Sequence, residues 1–251
     1  MESRPIPIKR LETHLGGYRT DKAKIMRLFQ MLDRPAFSHP ETQKAIKTFA
    51  RRVVYAAVDE HLKDEGNVIE AAEWLRKTGE PLAGVRLLEN AEEYEKAADM
   101  LLTHAKEPYG AKLLFEKAAE NAKPDKQKEL LKKAAYGMLT KPDELNNVDF
   151  AFGLFRQADA HEEGAKALLK AGEPGYAAAL FADVGKHKDA GHAWLKAGEP
   201  RNAARAFELG NLLKQGSLAL KNAAVEYIAE NKYDEAKVAK RLAAELSEKA
   251  G

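Results

Sequence analysis

The sequence predicts an all-α protein, a right-handed α-α superhelix (solenoid) of short helical hairpins with a period of about 26 residues. Three observations predict it. The tripeptide Gly172-Glu173-Pro174 returns 26 residues later as Gly198-Glu199-Pro200, stands upstream as Gly79-Glu80-Pro81, and is degenerate at Lys106-Glu107-Pro108. A second pattern, a bulky anchor followed three residues on by a small side chain, marks the turn inside each hairpin. Its copies are Val68-Ile69-Glu70-Ala71, Tyr94-Glu95-Lys96-Ala97, His161-Glu162-Glu163-Gly164, His187-Lys188-Asp189-Ala190, Leu213-Lys214-Gln215-Gly216 and Tyr233-Asp234-Glu235-Ala236. Between these signals the apolar residues recur at helical spacings of three and four.

Residues 1–19 hold Pro5, Pro7 and Gly16-Gly17 without a sustained helical period, so they read as an extended arm. Thr20 can cap a helix from Asp21 to about Leu32, with Ile25, Leu28, Phe29 and Leu32 on one face and Asp33-Arg34-Pro35 as its stop. Ser38-His39-Pro40-Glu41 has the form of a capping box and opens a longer helix to about Lys63, with Ile46, Phe49, Val53, Tyr55, Ala56 and Leu62 as apolar positions and Gly66 as the end. These two helices, residues 20–64, serve as an N-terminal cap. Hairpin repeats fill 65–220. Anchor spacings of 26, 67, 26, 26 and 20 leave room for one irregular unit, Lys106 to Asn147, in which Pro124-Asp125 and Pro142-Asp143 mark helix starts. Residues 221–251 read as two C-terminal capping helices joined near Asn231-Lys232-Tyr233. No low-complexity linker interrupts the chain, so a single domain over 1–251 is expected.

Superposing the units on the proline identifies the core. Three residues on stand Gly84, Ala111, Ala151, Ala177 and Ala203, small enough for close helix approach. At six and seven come Leu87 and Leu88, Leu114 and Phe115, Leu154 and Phe155, Leu180 and Phe181, Ala206 and Phe207. At twenty come Leu101, Leu168, Trp194 and Leu220. Helices of ten or eleven residues are too short to stand alone in water, so stability has to come from neighbouring units.

Composition narrows the function. The absence of cysteine removes disulfide frameworks, thiolate catalysis and cysteine-ligated metals. No apolar run approaches the roughly 20 residues of a bilayer span, and the first residues lack the apolar core of a signal peptide, so a soluble cytoplasmic protein is expected. The net charge of +2 conceals an asymmetry, because residues 1–60 carry 12 Lys and Arg against 7 Asp and Glu. There is no Gly-x-Ser-x-Gly elbow, no His-Glu-x-x-His and no complete phosphate loop, and the paired acids Glu92-Glu93 and Glu162-Glu163 sit at helix starts where they suit the dipole. A non-enzymatic role without cofactor is the expectation.

Ala190-Gly191-His192-Ala193-Trp194-Leu195-Lys196-Ala197-Gly198-Glu199-Pro200 and Tyr94-Glu95-Lys96-Ala97-Ala98-Asp99-Met100-Leu101 resemble degenerate tetratricopeptide-type repeats, and more closely the helical hairpins in the repeat arms of coatomer and intraflagellar-transport subunits. The resemblance spans roughly residues 65–240, with a period shorter than the regular 34-residue unit and without its Trp-Leu-Gly-Tyr signature. It implies a right-handed superhelix that binds other proteins, with no enzymatic activity.

In that arrangement the first helix of each hairpin lines the concave face, where a partner protein would dock. Arg and Tyr concentrate binding energy at interfaces, so Arg86, Arg156, Tyr176 and Arg205 are the candidate partner-binding residues. The alternative is a nucleic-acid-associated repeat protein using Lys22, Lys24, Arg27, Arg34, Lys44, Lys47, Arg51 and Arg52, with Lys9, Arg10 and Arg19 nearby. An amphipathic membrane-surface role for Asp21 to Leu32 is a third reading. His161 and His187 share the anchor position, but a position that also accepts tyrosine and leucine asks for bulk, so no metal site is expected. The sequence leaves the partner's identity and the oligomeric state open.

Overall fold

A computed structural model describes residues 10, 13, 15–18, 20–64 and 67–250. Lys9, Arg19, Gly66 and the side chain of Leu62, all singled out above, lie outside the described parts. The described residues form fourteen helices: α1 (Asp21–Leu32), α2 (Pro40–Asp64), α3 (Val68–Lys77), α4 (Pro81–Asn90), α5 (Tyr94–Met100), α6 (Pro108–Glu120), α7 (Pro124–Met138), α8 (Asn147–Gln157), α9 (His161–Lys170), α10 (Pro174–Asp183), α11 (His187–Lys196), α12 (Pro200–Leu209), α13 (Leu213–Ala229) and α14 (Tyr233–Lys249). No strand occurs among the described residues. Helix packing resolves into two compact units, Met1–Ala118 and Ala119–Gly251, and the division falls within α6 rather than at a linker.

Each anchor of the sequence pattern is the first residue of a helix, as are Pro81, Pro108, Pro174 and Pro200. The prolines fit because the first helical position needs no N–H donor. The glycines end the preceding helices in the left-handed region, with φ of +90° at Gly79, +84° at Gly172 and +77° at Gly198. At each of them a Schellman pair closes the helix. At the first, the Glu80 N–H donates to the Leu75 carbonyl (3.0 Å) and the Gly79 N–H to that of Arg76 (3.0 Å).

Inside the hairpins Gly185 closes one turn in the same way (φ +70°), and four others do so without glycine. Glu92, Asp159, Asn211 and Asn231 take φ between +53° and +61°, and the N–H after each reaches back to the carbonyl of Leu88, Phe155, Phe207 and Tyr227, respectively, at 2.7–2.9 Å. These turns are therefore equivalent, and through them the structural period is 13 residues, half the 26 legible in the sequence. Left-handed residues stand at 146, 159, 172, 185, 198 and 211. In the same register the small buried residues are Ala151, Gly164, Ala177, Ala190, Ala203 and Gly216, and the large ones are Phe155, Leu168, Phe181, Trp194, Phe207 and Leu220. All of these are buried except Trp194, which is half-buried beside Leu195 and the cluster around Phe207 and Leu220.

The small residues let aromatic rings lie against helix backbone. A Cβ added at Gly164 would stand 2.5 Å from Phe155 Cγ, one at Gly191 2.6 Å from Phe207 Cζ, and one at Gly216 2.6 Å from Phe207 Cβ. The Phe207 ring of α12 is thus received by glycines on both α11 and α13. Two buried hydroxyls bond between helices of this region: Tyr227 donates to the Leu195 carbonyl at 2.5 Å, and Ser217 of α13 to the Ala243 carbonyl of α14 at 2.7 Å. Burial pushes the Tyr227 hydroxyl pKa up to about 12.

In the first unit, Ala71, Gly84 and Ala97 keep the 13-residue register with Leu75, Leu88 and Leu101. The next members are Ala111 and Phe115, one residue late, because a π turn over Leu101–Ala105 inserts one residue before Lys106 turns left-handed at φ +60°. That extra residue lies before Lys106; the irregular unit anticipated from Lys106 to Asn147 holds the longer helices α6 and α7, of 13 and 15 residues. The core of α1, α2 and α3 gathers Ile25, Leu28, Phe29, Ile46, Phe49, Val54 and Trp74.

Several boundaries differ from expectation. Arg10, Thr13 and Leu15 are helical and Leu15 is 1% exposed, so this part of the anticipated arm is folded onto the core of the first unit. Thr20 caps α1 as expected, accepting from the Ala23 N–H (3.2 Å). At α2 the cap is His39 rather than Ser38, its Nδ1 accepting from the Glu41 N–H (3.3 Å). On α2 the buried face is Thr42, Ile46, Phe49, Ala50, Val54, Ala57 and Val58, which turns Tyr55 and Ala56 outward. Pro142 lies in a turn rather than at a helix start. The buried Asn147 side chain opens α8 by donating from Nδ2 to the Lys141 carbonyl (2.8 Å). The capping boundary at residue 221 falls inside α13, a continuous 17-residue helix, since no helix-ending residue intervenes before Asn231.

Candidate docking surfaces

In the first unit the outer faces of α4 and α6 carry large apolar side chains that the core does not use. Leu82 is 52% exposed, Tyr109 50% and Leu113 47%. Leu82 and Tyr109 stand one residue after the proline of their helix, while Arg86 and Leu113 stand five after it, so the two helices present the same two positions. Arg86 is exposed and makes no ion pair among the described residues. The Lys112 ammonium lies over the Tyr109 ring (5.9 Å to its centroid) and also pairs with Glu116 at 2.7 Å.

In the second unit the structure brings Arg156 and Tyr176 together, and joins both to neighbouring helices. The Tyr176 hydroxyl donates to Asp149 Oδ1 at 2.5 Å, which holds its pKa above the ordinary tyrosine range. Its ring packs on Phe152 (5.4 Å between centroids), and the Arg156 guanidinium covers that same ring at 5.6 Å. Arg156 Nε then pairs with Asp183 at 2.9 Å. Asp149, Phe152 and Arg156 lie along one face of α8, and Tyr176 and Asp183 lie along α10, so the set laces consecutive first helices together. Arg205 stands apart on α12, exposed and without an ion pair among the described residues.

The basic N-terminal residues are largely spent within the first unit. Lys22 pairs with Glu70 of α3 (3.2 Å), Arg51 with Glu80 before α4 (3.0 Å), and Lys24 with Asp21 (2.7 Å). Arg27 donates to Gln30 (3.4 Å), with its Nε buried and unpartnered, and Arg52 lies 5.2 Å over the Phe49 ring. Arg34, Lys44 and Lys47 are exposed. Two of these pairs join α1 to α3 and α2 to the start of α4, a structural use of charges that looked like a phosphate stripe.

The histidines are dispersed. His161, 18% exposed at its side chain, lies between Asp159 (3.6 Å) and Asp183 (3.9 Å), while the His187 Nδ1 is buried without a hydrogen bond. Burial, and then the charge of Arg76, lowers the pKa of His104. No group of three or more His, Asp or Glu among the described residues is arranged to hold a metal.

No protein-family model and no curated protein matches the chain. Among solved structures, a de novo designed helical repeat protein aligns over 96% of this chain and 95% of its own, at 20% identity and a TM-score of 0.15. No helix of the described residues is long and apolar enough to cross a membrane.

The sequence reading weighed aromatics near the helix starts, Tyr109 among them, and missed Leu82, which holds the same place on α4. It also missed a groove between α7 and α9. Tyr136, Lys166 and Lys170 line it, and they come from helices whose proximity no local pattern signals.

Proposed function

We propose that this chain is a non-enzymatic protein-interaction scaffold or adaptor that holds a partner against the outer faces of its first helices. The observation that carries the reading is the exposure of Leu82, Tyr109 and Leu113 at equivalent places on α4 and α6. Apolar side chains of this size, rimmed by Arg86, Glu89 and Glu116, fit a docking surface with an apolar centre and a charged edge. Arg86 and Arg205 supply uncommitted guanidinium groups, and Arg156 and Tyr176 contribute through the faces their internal contacts leave open. The perturbed titrating groups support a non-catalytic role, since each is accounted for by an ion pair, a tyrosine hydrogen bond or burial.

The test is quantitative capture from native lysate with two variants, Leu82→Ser/Leu113→Ser and Arg86→Ala/Arg156→Ala/Tyr176→Ala/Arg205→Ala, each checked for helicity. Proteins retained by the wild type and lost by the first variant support the apolar face. Identical retention by all three proteins removes the proposal. A salt series against nonspecific RNA and DNA addresses the other reading, for which Lys44 and Lys47 on the outer face of α2 are the residues to replace.

A further inference from the structure

The second unit contains an open groove of about 650 Å³, between the end of α7 (Tyr136, Leu139, Thr140) and the outer side of α9 (Glu162 to Ala171). This volume falls within the range of small-ligand and peptide-anchor sites. Its floor is apolar, formed by Leu139, Ala167 and Ala171 with the Tyr136 ring, which is fixed edge-on against Phe155 at 5.2 Å.

The charges of the groove decide what it accepts. Its two carboxylates are already engaged: Glu162 by Lys186 (2.6 Å) and Glu163 by Lys132 (3.1 Å) and the Tyr136 hydroxyl (3.0 Å). Those hydrogen bonds hold both carboxyls below the ordinary glutamate range, so they stay ionised and occupied. Lys166 and Lys170, one turn apart on the rim, are exposed and make no ion pair among the described residues. The groove therefore offers two ammonium groups without ion pairs, of which Lys166 also acts on Glu162 through its charge, above an apolar floor, and both of its carboxylates are already paired.

We propose that this groove is a docking site for an acidic peptide segment that carries an apolar anchor, its carboxylates meeting Lys166 and Lys170 and its anchor entering between Leu139, Ala167 and Ala171. The carbonyl ends of α7 and α9 both border the groove, at the Leu139 and Ala171 caps. Lys170, in the last turn of α9, offsets the partial negative charge at the Ala171 end. The site lies on the second helices of the hairpins and stands independently of the first-helix face proposed above.

The experiment uses the full chain and fluorescein-labelled short peptides with one leucine or phenylalanine among aspartates and glutamates, read by fluorescence anisotropy at low and high salt. Binding is expected for these peptides and not for counterparts with lysine in place of the acids. Lys166→Glu/Lys170→Glu should weaken it on the order of tenfold or more, since it reverses both rim charges. Lys237→Glu/Lys240→Glu, the same charge change on the exposed side of α14, should leave it within about twofold. Ala167→Phe, which fills the floor without altering charge, should abolish it. Absence of binding by any acidic peptide overturns the proposal. So does equal weakening by the two charge-reversed variants, or binding only of a single-stranded oligonucleotide through the same lysines.

Discussion

A residue forced to φ near +84°, as Gly172 is, has its choice of side chain decided by backbone sterics before any contact is considered. Gly172→Ala adds a Cβ with nothing within 4 Å to strike, so the loss it causes is purely conformational, about 1–2 kcal/mol by urea denaturation. The reverse change at Glu92, which has φ +60° in an equivalent turn, should gain a few tenths to about 1 kcal/mol. If both substitutions shift stability in the same direction, the turn geometry is not what sets their effect. Tyr227 tests a buried hydroxyl at the same scale. Tyr227→Phe removes one of the two donors to the Leu195 carbonyl, leaving the Gly198 N–H (3.1 Å), and should cost about 0.5–1.5 kcal/mol. With its folded pKa raised to about 12, the tyrosine's contribution is complete below the ordinary tyrosine pKa and is lost as pH rises toward 12. The alkaline fall of the wild-type melting temperature should therefore be shallower in the phenylalanine variant.

Between elements, the pairing of a ring with a glycine is the recurring joint, and it fails in two opposite ways. Gly164→Ala forces a methyl against Phe155 and should cost about 1–3 kcal/mol through overpacking, whereas Phe207→Ala, at a fully buried position, should cost about 3–5 kcal/mol through the cavity it leaves. Thermal unfolding followed by circular dichroism distinguishes these from the smaller loss expected on truncating half-buried Trp194. Exposed ion pairs join elements more weakly. Asp159, Glu162 and Glu163 are held below their ordinary ranges by Lys128, Lys186 and Lys132. The stability they add is complete above the ordinary carboxylate range and disappears as pH falls through the lowered values. Wild type and Lys132→Gln/Lys186→Gln should thus differ at neutral pH and converge in acid. The helix starts were legible in the sequence because proline and the anchors have fixed places in a helix. The glycine-free turns were not legible, because Asp159, Asn211 and Glu92 enter the left-handed region without announcing it, which left a 13-residue repeat looking like one of 26. Nor were the partners of Lys22 and Arg51, since Glu70 and Glu80 reach them only through packing of α3 and α4. The groove lysines had no local signal at all.

Across the whole molecule, each hairpin is stabilised by those beside it, so what matters is how many complete ones a unit contains. The equal spacing of turns from Asn146 to Asn211 bears directly on this. Deleting residues 173–198 joins Gly172 to Glu199-Pro200 and restores a native turn sequence, so the shortened protein should retain its helicity per residue and unfold cooperatively. Deleting residues 173–185 removes one helix instead of two, sends every later helix the opposite way along the stack, and should abolish cooperative unfolding. The length of the second unit is in this sense quantised, and it can grow or shrink by whole hairpins only. The π turn at Leu101–Ala105 marks the lower limit of tolerance, a one-residue insertion absorbed inside a helix so that Ala111 and Phe115 still reach the positions their counterparts hold elsewhere.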